Sequence, residues 1–308
     1  MSNENRKVSQ QEQELWAATQ AGIPIERARA YIELAQLEEA NSKFKDALPL
    51  YEVALGLIEA EAEVDYALDL VQVLYQIAQC LNFLGRNQEE IEVIKKALNV
   101  ATECGVGDLP ALHRAAGYSY YSLMDYENSV KNHQAALDYP DPDAGVISLA
   151  IDQLNIGTSL SKLKRFDEAI EILKIARDRF KRLKEPKLVA ICDGEIAENY
   201  VELNDAASIE KYGQLALGTA EMVEDRQRQW WLHYFLAVAK RLQGELDDSI
   251  CHLETGRSLA ISHGYQEFAY LVKVDCELAK IYRSQGLDQQ AEKIERRVKN
   301  VEEILAAA

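Results

Sequence analysis

The sequence predicts an all-α solenoid, a stack of antiparallel helix pairs, and three observations carry that expectation. A pattern of residue types recurs about every forty residues. The positions that recur most faithfully hold small residues inside helix-period apolar stripes. Finally, 6 prolines and 15 glycines in 308 residues leave room only for short connections between helices.

The stretch 154–176, LNIGTSLSKLKRFDEAIEILKIA, serves as the template. It reads as a small residue, an aromatic or leucine three on, a turn, an aromatic, a small residue three later and another seven further. Slid along the chain, its first small position falls on Ala35, Ala78, Gly117, Gly157, Ala197, Ala237 and Ala279. An apolar residue precedes each of them: Leu34, Ile77, Ala116, Ile156, Ile196, Leu236 and Leu278. The last small position falls on Ala54, Ala97, Ala136, Ala176, Ala216, Gly256 and, departing in the final copy, Val298. A looser middle slot holds Ala47, Glu90, Ser129, Ala169, Ile209, Ser249 and Ala291. The intervals are 43, 39, 40, 40, 40 and 42 residues. Small residues let two helix backbones approach, and a large side chain on one helix then fills the space beside its neighbour's Gly or Ala.

Taken in order, Ser9 to Ala21 reads as a short helix bearing Leu15 and Trp16, broken at Gly22. Pro24 then suits the first turn of the next helix. The polar first ten residues are expected to be disordered, and residues 1–23 form an arm or a short cap outside the repeat. Pro49 falls inside the second helix of the first unit, which predicts a bend or a late helix start there. YPDPDAG, 139–145, is the longest clear loop and a candidate hinge. In the fourth unit the helices are expected over Asp152–Leu163 and Phe166–Leu183, with Lys164-Arg165 as the turn. The fifth unit, NDAASIEKYGQLALGTA, is weaker, because Ala206 replaces the turn aromatic. The run AEKIERRVKNVEEIL near the end carries charge on most faces and reads as a solvent-facing capping helix.

Charge narrows the function. Lys and Arg number 34 against 51 Asp and Glu, a formal charge of −17. Such a surface repels a phosphate backbone and an anionic membrane, and it favours neutral or basic partners. No apolar run approaches a membrane span, and MSNENRKVSQQEQELW has no leader-like apolar core, so the cytoplasm is the expected compartment. The five cysteines form no Cys-x-x-Cys pair, which signals neither zinc nor a redox couple. His252 beside Cys251 is not a metal pair, because adjacent helical positions point about 100° apart. A phosphate-binding glycine loop, a nucleophile elbow and a His-Glu-x-x-His pattern are all missing from the sequence. The expectation is a non-enzymatic protein with no cofactor.

The repeat resembles the tetratricopeptide repeat, which carries small residues at these places with aromatics between them. The resemblance spans residues 24–298 and is strong in GYSYYSLMDYENSVKNHQAAL. It implies about seven long repeats wound into a right-handed superhelix, with the first helices lining a concave groove. By register, the groove side then presents Gln76, Gln79, Asn82, Arg114, Tyr118, Tyr121, Asn155, Thr158, Glu195, Glu198, Trp231 and Tyr234. Amides can pair with an extended peptide backbone, and rigid aromatics give contact area at low entropic cost. In QWWLHYF, 229–235, one tryptophan is expected in the core and Trp231 in the groove. Glu195, Glu198 and Glu202 share a helical face that suits a basic ligand or plain solvent. The basic run 174–187 reads as an outer, solvated face.

Family members that grip chaperone tails use a carboxylate clamp. Here it would fall on Arg114, Tyr118, Asn155, Ile191 and Glu195, of which only Arg114 and Asn155 fit, so an acidic tail is not the expected ligand. The resemblance therefore implies a scaffold for a peptide or protein segment. The alternative is a bacterial peptide-sensing regulator whose pitch changes on binding.

Overall fold

The computed structural model describes residues 10–61, 66–107, 109–139, 145–262 and 268–307. Side chains are described in these stretches except at 262, 268, 269, 301, 302 and 304–307. The expectations for residues 1–9 and for the proline-rich 140–144 lie outside the described residues. The chain divides into two compact units, Met1–Asp143 and Ala144–Ala308, and the boundary falls in that proline-rich stretch.

The first unit opens with α1 (Gln10–Ala18), followed by three hairpins: α2 (Pro24–Ala40) with α3 (Phe44–Glu61), α4 (Ala67–Phe83) with α5 (Asn87–Cys104), and α6 (Leu109–Ser122) with α7 (Tyr126–Asp138). The second holds four: α8 (Val146–Lys162) with α9 (Phe166–Arg182), α10 (Pro186–Leu203) with α11 (Ala206–Met222), α12 (Arg226–Gln243) with α13 (Leu246–Ser262), and α14 (Phe268–Ser284) with α15 (Asp288–Ala307). Within each unit every helix packs on the next, as in an α-solenoid. First helices of successive hairpins also touch one another, α4 with α6 and α8 through α10 and α12 to α14, and so form the inner side.

All the residues of the four recurring slots, from Ala35 to Val298, are buried. The glycines show why. A Cβ on Gly157 would lie 2.5 Å from Leu173 Cγ, and one on Gly117 would lie 2.6 Å from the His133 ring. Both distances are inside van der Waals contact, so the two helices of the hairpin meet where only hydrogen fits. Leu173 and His133, both 0% exposed, are the large residues that fill those gaps. Burying such a side chain contributes about 1.5–3 kcal/mol, which outweighs the ~1 kcal/mol that glycine costs inside a helix.

The turns repeat as strictly as the core, with no matching residue type. Ser42, Gly85, Met124, Lys164, Asn204, Gly244 and Gly286 each have a left-handed φ between 56° and 84°. Each lies seven residues beyond a first small slot. The next residue's N–H reaches the carbonyl five residues back, from Lys43 to Glu38 at 2.9 Å through Leu287 to Tyr282 at 2.8 Å. This Schellman closure satisfies carbonyls that the ending helix leaves free.

Pro49 corrects one expectation. α3 starts at Phe44 and continues through it, so the late start does not occur. The proline sits exposed in the second turn, where few backbone bonds precede it. α1 packs on α2 through Arg27, which donates to the Thr19 carbonyl at 2.9 Å, and through an edge contact of Trp16 on Tyr31 at 6.5 Å. Trp16 nonetheless stays 45% exposed.

The basic run 174–187 is also more than a solvated face. Arg177 reaches Asp193, 2% exposed, at 2.5 Å, and Phe180 is 0% exposed. Arg241 and Arg297 do the same for buried Glu277 and Asp275.

Gly157→Ala is expected to destabilise the second unit by about 1–3 kcal/mol through overpacking, although alanine is the better helix former. Gly56→Ala in α3, where nothing lies within 4 Å of the new Cβ, is expected to stabilise by up to ~1 kcal/mol. Urea unfolding measures both. In the same assay Met124→Gly is expected to gain a few tenths to about 1 kcal/mol by relieving a left-handed Cβ.

Candidate functional site

Two clefts lie on first-helix faces, one in each unit. The cleft of the first unit, about 360 Å³, lies between α4 and α6. α4 contributes Tyr75, Gln79, Asn82 and Phe83, and α6 contributes Arg114 and Tyr118. Helical spacing explains the set: 75, 79, 82 and 111, 114, 118 follow i, i+3, i+4 steps along single faces. Phe83 is 67% exposed and stacks on Phe44 at 4.0 Å, while Tyr118 is 42% exposed and meets His133 edge-on at 5.1 Å. Asn82 donates to Glu90 at 3.1 Å. Glu90 is buried to 2% exposure, and that burial raises its pKa even though Ser119 and Asn82 bond to it.

The cleft of the second unit, about 530 Å³, is larger. Gly194, Glu195 and Glu198 come from α10, and Trp231, Leu232 and Phe235 from α12. Lys162 at the end of α8 and Lys273 on α14 complete the walls, with Asp225 and Arg228 at the start of α12. Lys273 lies over the Trp231 ring at 5.0 Å and the Tyr234 ring at 5.9 Å. Lys162 faces Glu198 at 3.9 Å, and Arg228 pairs with Asp225 at 3.0 Å. Glu195 is half-buried. That burial first, and the Glu198 carboxylate second, push it up to about 7 against the pull of Lys162, Arg228 and the Thr158 hydroxyl.

Of the twelve residues read from register, Gln79, Asn82, Arg114 and Tyr118 line the first cleft, and Glu195, Glu198 and Trp231 line the second. The other five lie outside both. Gln76 is half-buried on α4, and Tyr121 packs on Tyr126 at 5.3 Å. Thr158 donates to the Leu154 carbonyl at 3.0 Å, and Tyr234 backs the second cleft from beneath Lys273. Asn155 keeps a buried Nδ2 with no acceptor among the described residues. Of the paired tryptophans, Trp230 is 0% exposed and packs on Tyr270 at 5.9 Å.

Register alone missed Phe83, Gly194, Arg228 and Lys273. Gly194 carries a signal, a second helical glycine-or-alanine three residues before Ala197. Phe83 and Lys273 carry none, because an exposed aromatic and a lysine in the final copy look like ordinary surface.

His252 pairs with His233 rather than with Cys251. His233 Nδ1 and His252 Nδ1 lie 3.0 Å apart across α12 and α13, so one ring donates and the other accepts. No group of three or more metal-ligating side chains occurs among the described residues. Burial, then His252, pulls His233 down to about 4. A depressed histidine contributes stability that is complete above the ordinary pKa of about 6.5 and is lost as pH falls through about 4. His233→Gln is therefore expected to flatten the loss of stability between pH 6.5 and 4, by on the order of 2 kcal/mol, in thermal unfolding across that range.

Residues 71–104, which span hairpin α4–α5, match the family model described as Tetratricopeptide repeat. The chain is 24% identical over 286 residues to the 43 kDa receptor-associated protein of the synapse from Tetronarce californica. That alignment covers 89% of this chain and 66% of the relative, so the chain spans just under two thirds of that protein's length. Among solved structures it is similar to a Signal Transduction ATPase with Numerous Domains protein with a tetratricopeptide repeat sensor from Pyrococcus horikoshii. The TM-score is 0.70 at 15% identity, over 91% of this chain and 43% of that one. It is also similar to YrrB, a tetratricopeptide repeat protein with an unusual peptide-binding site, with a TM-score of 0.50 at 16% identity, over 69% of this chain and 93% of that one. At these identities the structural likeness shows the fold.

Proposed function

We propose that this tetratricopeptide-repeat protein is a non-enzymatic scaffold that holds a peptide or protein segment against its first-helix faces. The observation that carries the reading is the composition of the two clefts. Each combines exposed or half-buried aromatics with amides and charged groups, and neither sets a nucleophile beside a base. Gln79, Asn82, Arg114 and Tyr118 act in one unit, and Glu195, Glu198 and Trp231 in the other. Gln76, Tyr121, Asn155, Thr158 and Tyr234 flank them. A neutral or basic segment suits the charge of −17 better than an acidic one. A nucleic acid or an anionic membrane does not suit it, and no described helix is long and apolar enough to cross a membrane. Cys80, Cys104, Cys192, Cys251 and Cys276 are free thiols, which suits a reducing cytoplasm.

The peptide-binding site named for YrrB supports this reading by analogy of fold. The sensor repeats of the P. horikoshii protein support the second reading, a bacterial peptide-sensing regulator whose superhelix changes pitch on binding. Small-angle scattering separates the two: a compacted profile on saturation with peptide marks the regulator, and an unchanged one the passive scaffold.

Peptides selected on the purified chain from a random display library supply the ligand for the main test. Tyr118→Ala or Trp231→Ala is expected to weaken the selected peptide about 30-fold, the loss of one interfacial anchor worth ~2 kcal/mol. Full affinity in both variants, measured by calorimetry, would overturn the assigned faces.

A further inference from the structure

We propose that the cleft of the second unit is a subsite for a guanidinium, the arginine side chain of a bound segment, seated on Glu195 between Gly194 and the Trp231–Phe235 wall. This rests on the scaffold reading and names what one of its clefts recognises.

Three independent features point there. The first is Gly194 itself. Gly157 and Gly117 are glycine because a Cβ would collide with the paired helix, but a Cβ on Gly194 would find its nearest neighbour, Leu232 Cδ2, at an ordinary 3.7 Å. Helix packing does not require glycine at this place, although it weakens α10 by about 1 kcal/mol. What the missing side chain does is keep the cleft open beside Glu195.

The second is a charge left over. Each other charged group of the cleft has a partner inside the protein. Lys162 faces Glu198, Arg228 holds Asp225, and Lys273 lies on the Trp231 and Tyr234 rings. No cation forms an ion pair with Glu195 among the described residues; its polar contact is the Thr158 hydroxyl. The lining carries three cations and three carboxylates, and Glu195 is the one carboxylate among them without an ion-pair partner; a carboxylate ligand would meet Glu195 and Glu198 together.

The third is shape. Trp231, Leu232 and Phe235 line the cleft together with the acid, and with Leu232 1% and Phe235 5% exposed it is Trp231 that supplies most of the apolar surface. A guanidinium is flat, weakly hydrated and bidentate, so it can pair edge-on with a carboxylate while its face lies on aromatic carbon. An ammonium is a strongly hydrated point charge and gains less from that wall.

Protonation gives a signature. Glu195, at about 7, is mostly neutral at pH 6 and mostly ionised at pH 8. The charged groups facing it are Glu198 on α10, Lys162 on α8, Arg228 and Asp225 at the start of α12, and Lys273 on α14. Affinity for a guanidinium should rise about tenfold from pH 6 to pH 8. The raised value also means that Glu195 contributes stability below about 4.5 that is lost as pH rises through about 7. Glu195→Gln should then be no less stable than the parent at pH 8, so a loss of binding in that variant is not a loss of fold.

The test uses the full chain and three blocked pentapeptides, acetyl-Gly-Gly-X-Gly-Gly-amide, with X as arginine, lysine or its neutral isostere citrulline, titrated by calorimetry at pH 6 and pH 8. A fourth peptide with X as glutamate is the acidic arm. The arginine peptide is expected to bind at least tenfold tighter than the citrulline peptide and tighter than the lysine peptide at pH 8. That preference and its pH rise should both vanish in Glu195→Gln, and binding should be blocked in Gly194→Leu, with unfolding midpoints confirming both folds. Equal binding of arginine and citrulline, a preference for lysine or glutamate, or an arginine preference that survives Glu195→Gln would overturn the subsite. If library peptides still lose affinity with Trp231→Ala while arginine carries no advantage, the subsite falls and the scaffold reading stands.

Discussion

The closeness of two helix backbones inside each hairpin is the constraint from which the rest follows. At Gly157 and Gly117 the facing helix stands so near that a single methyl group would overlap Leu173 or the His133 ring. Contact at that range lets one bulky residue reach the opposite helix in five of the seven hairpins; the same position is Gly213 in the fifth and Glu295 in the last. A residue wide enough to hold the helices apart would lose dispersion contacts along the whole crossing. For this reason Ala or Gly recurs at the first slot in every copy, while the residues that fill the gap differ freely, as Tyr51, Ile94, His133, Leu173 and Leu253 do.

What the sequence made legible follows the same physics. Helix pairs and buried slots could be read because steric exclusion at a crossing admits only two residue types, so position leaves a trace in identity. The turns left almost none. A left-handed residue closes every hairpin, yet Met124 and Lys164 occupy that conformation as Gly85 and Gly244 do, at a cost of ~1 kcal/mol that packing elsewhere absorbs. The buried acids were equally silent. Glu90 occupies a slot filled in other copies by Ala, Ser or Ile, and its carboxylate is held by Asn82 and Ser119 rather than by any cation that charge pattern would reveal. Half of the candidate groove was visible as helical register, since residues three and four apart share a face. Which of those residues meet a cavity depended on neighbours forty residues away, and register does not carry that.

Acidity in this chain is distributed between two uses. Asp193, Asp275 and Glu277 lie within the packing, each gripped by an arginine from another helix. Removing such a partner strands a charge in a medium that solvates it badly, which costs about 3–5 kcal/mol. These pairs therefore lock helix orientation, and the basic run on α9 belongs in part to that task through Arg177. Glu195 lies on the same face of α10 as its neighbours, without an arginine to hold it. The difference between a structural carboxylate and an available one here is the presence of a committed cation, which no count of charges could show.

Glycine draws the same distinction. A glycine in a helix is a cost, and the question at each position is what it is exchanged for. At Gly157 the exchange is internal, since a methyl group would strike Leu173 at 2.5 Å. At Gly56 there is nothing nearby to strike, and the residue lies on the outer face of α3. Gly194 belongs to neither group: it is buried, the nearest atom would tolerate a methyl at 3.7 Å, and the space it leaves opens into a cleft. A side chain there would be welcome to the fold and unwelcome to anything entering from outside. The helix accepts a local weakness there that no close crossing demands, and the volume it leaves open lies beside Glu195.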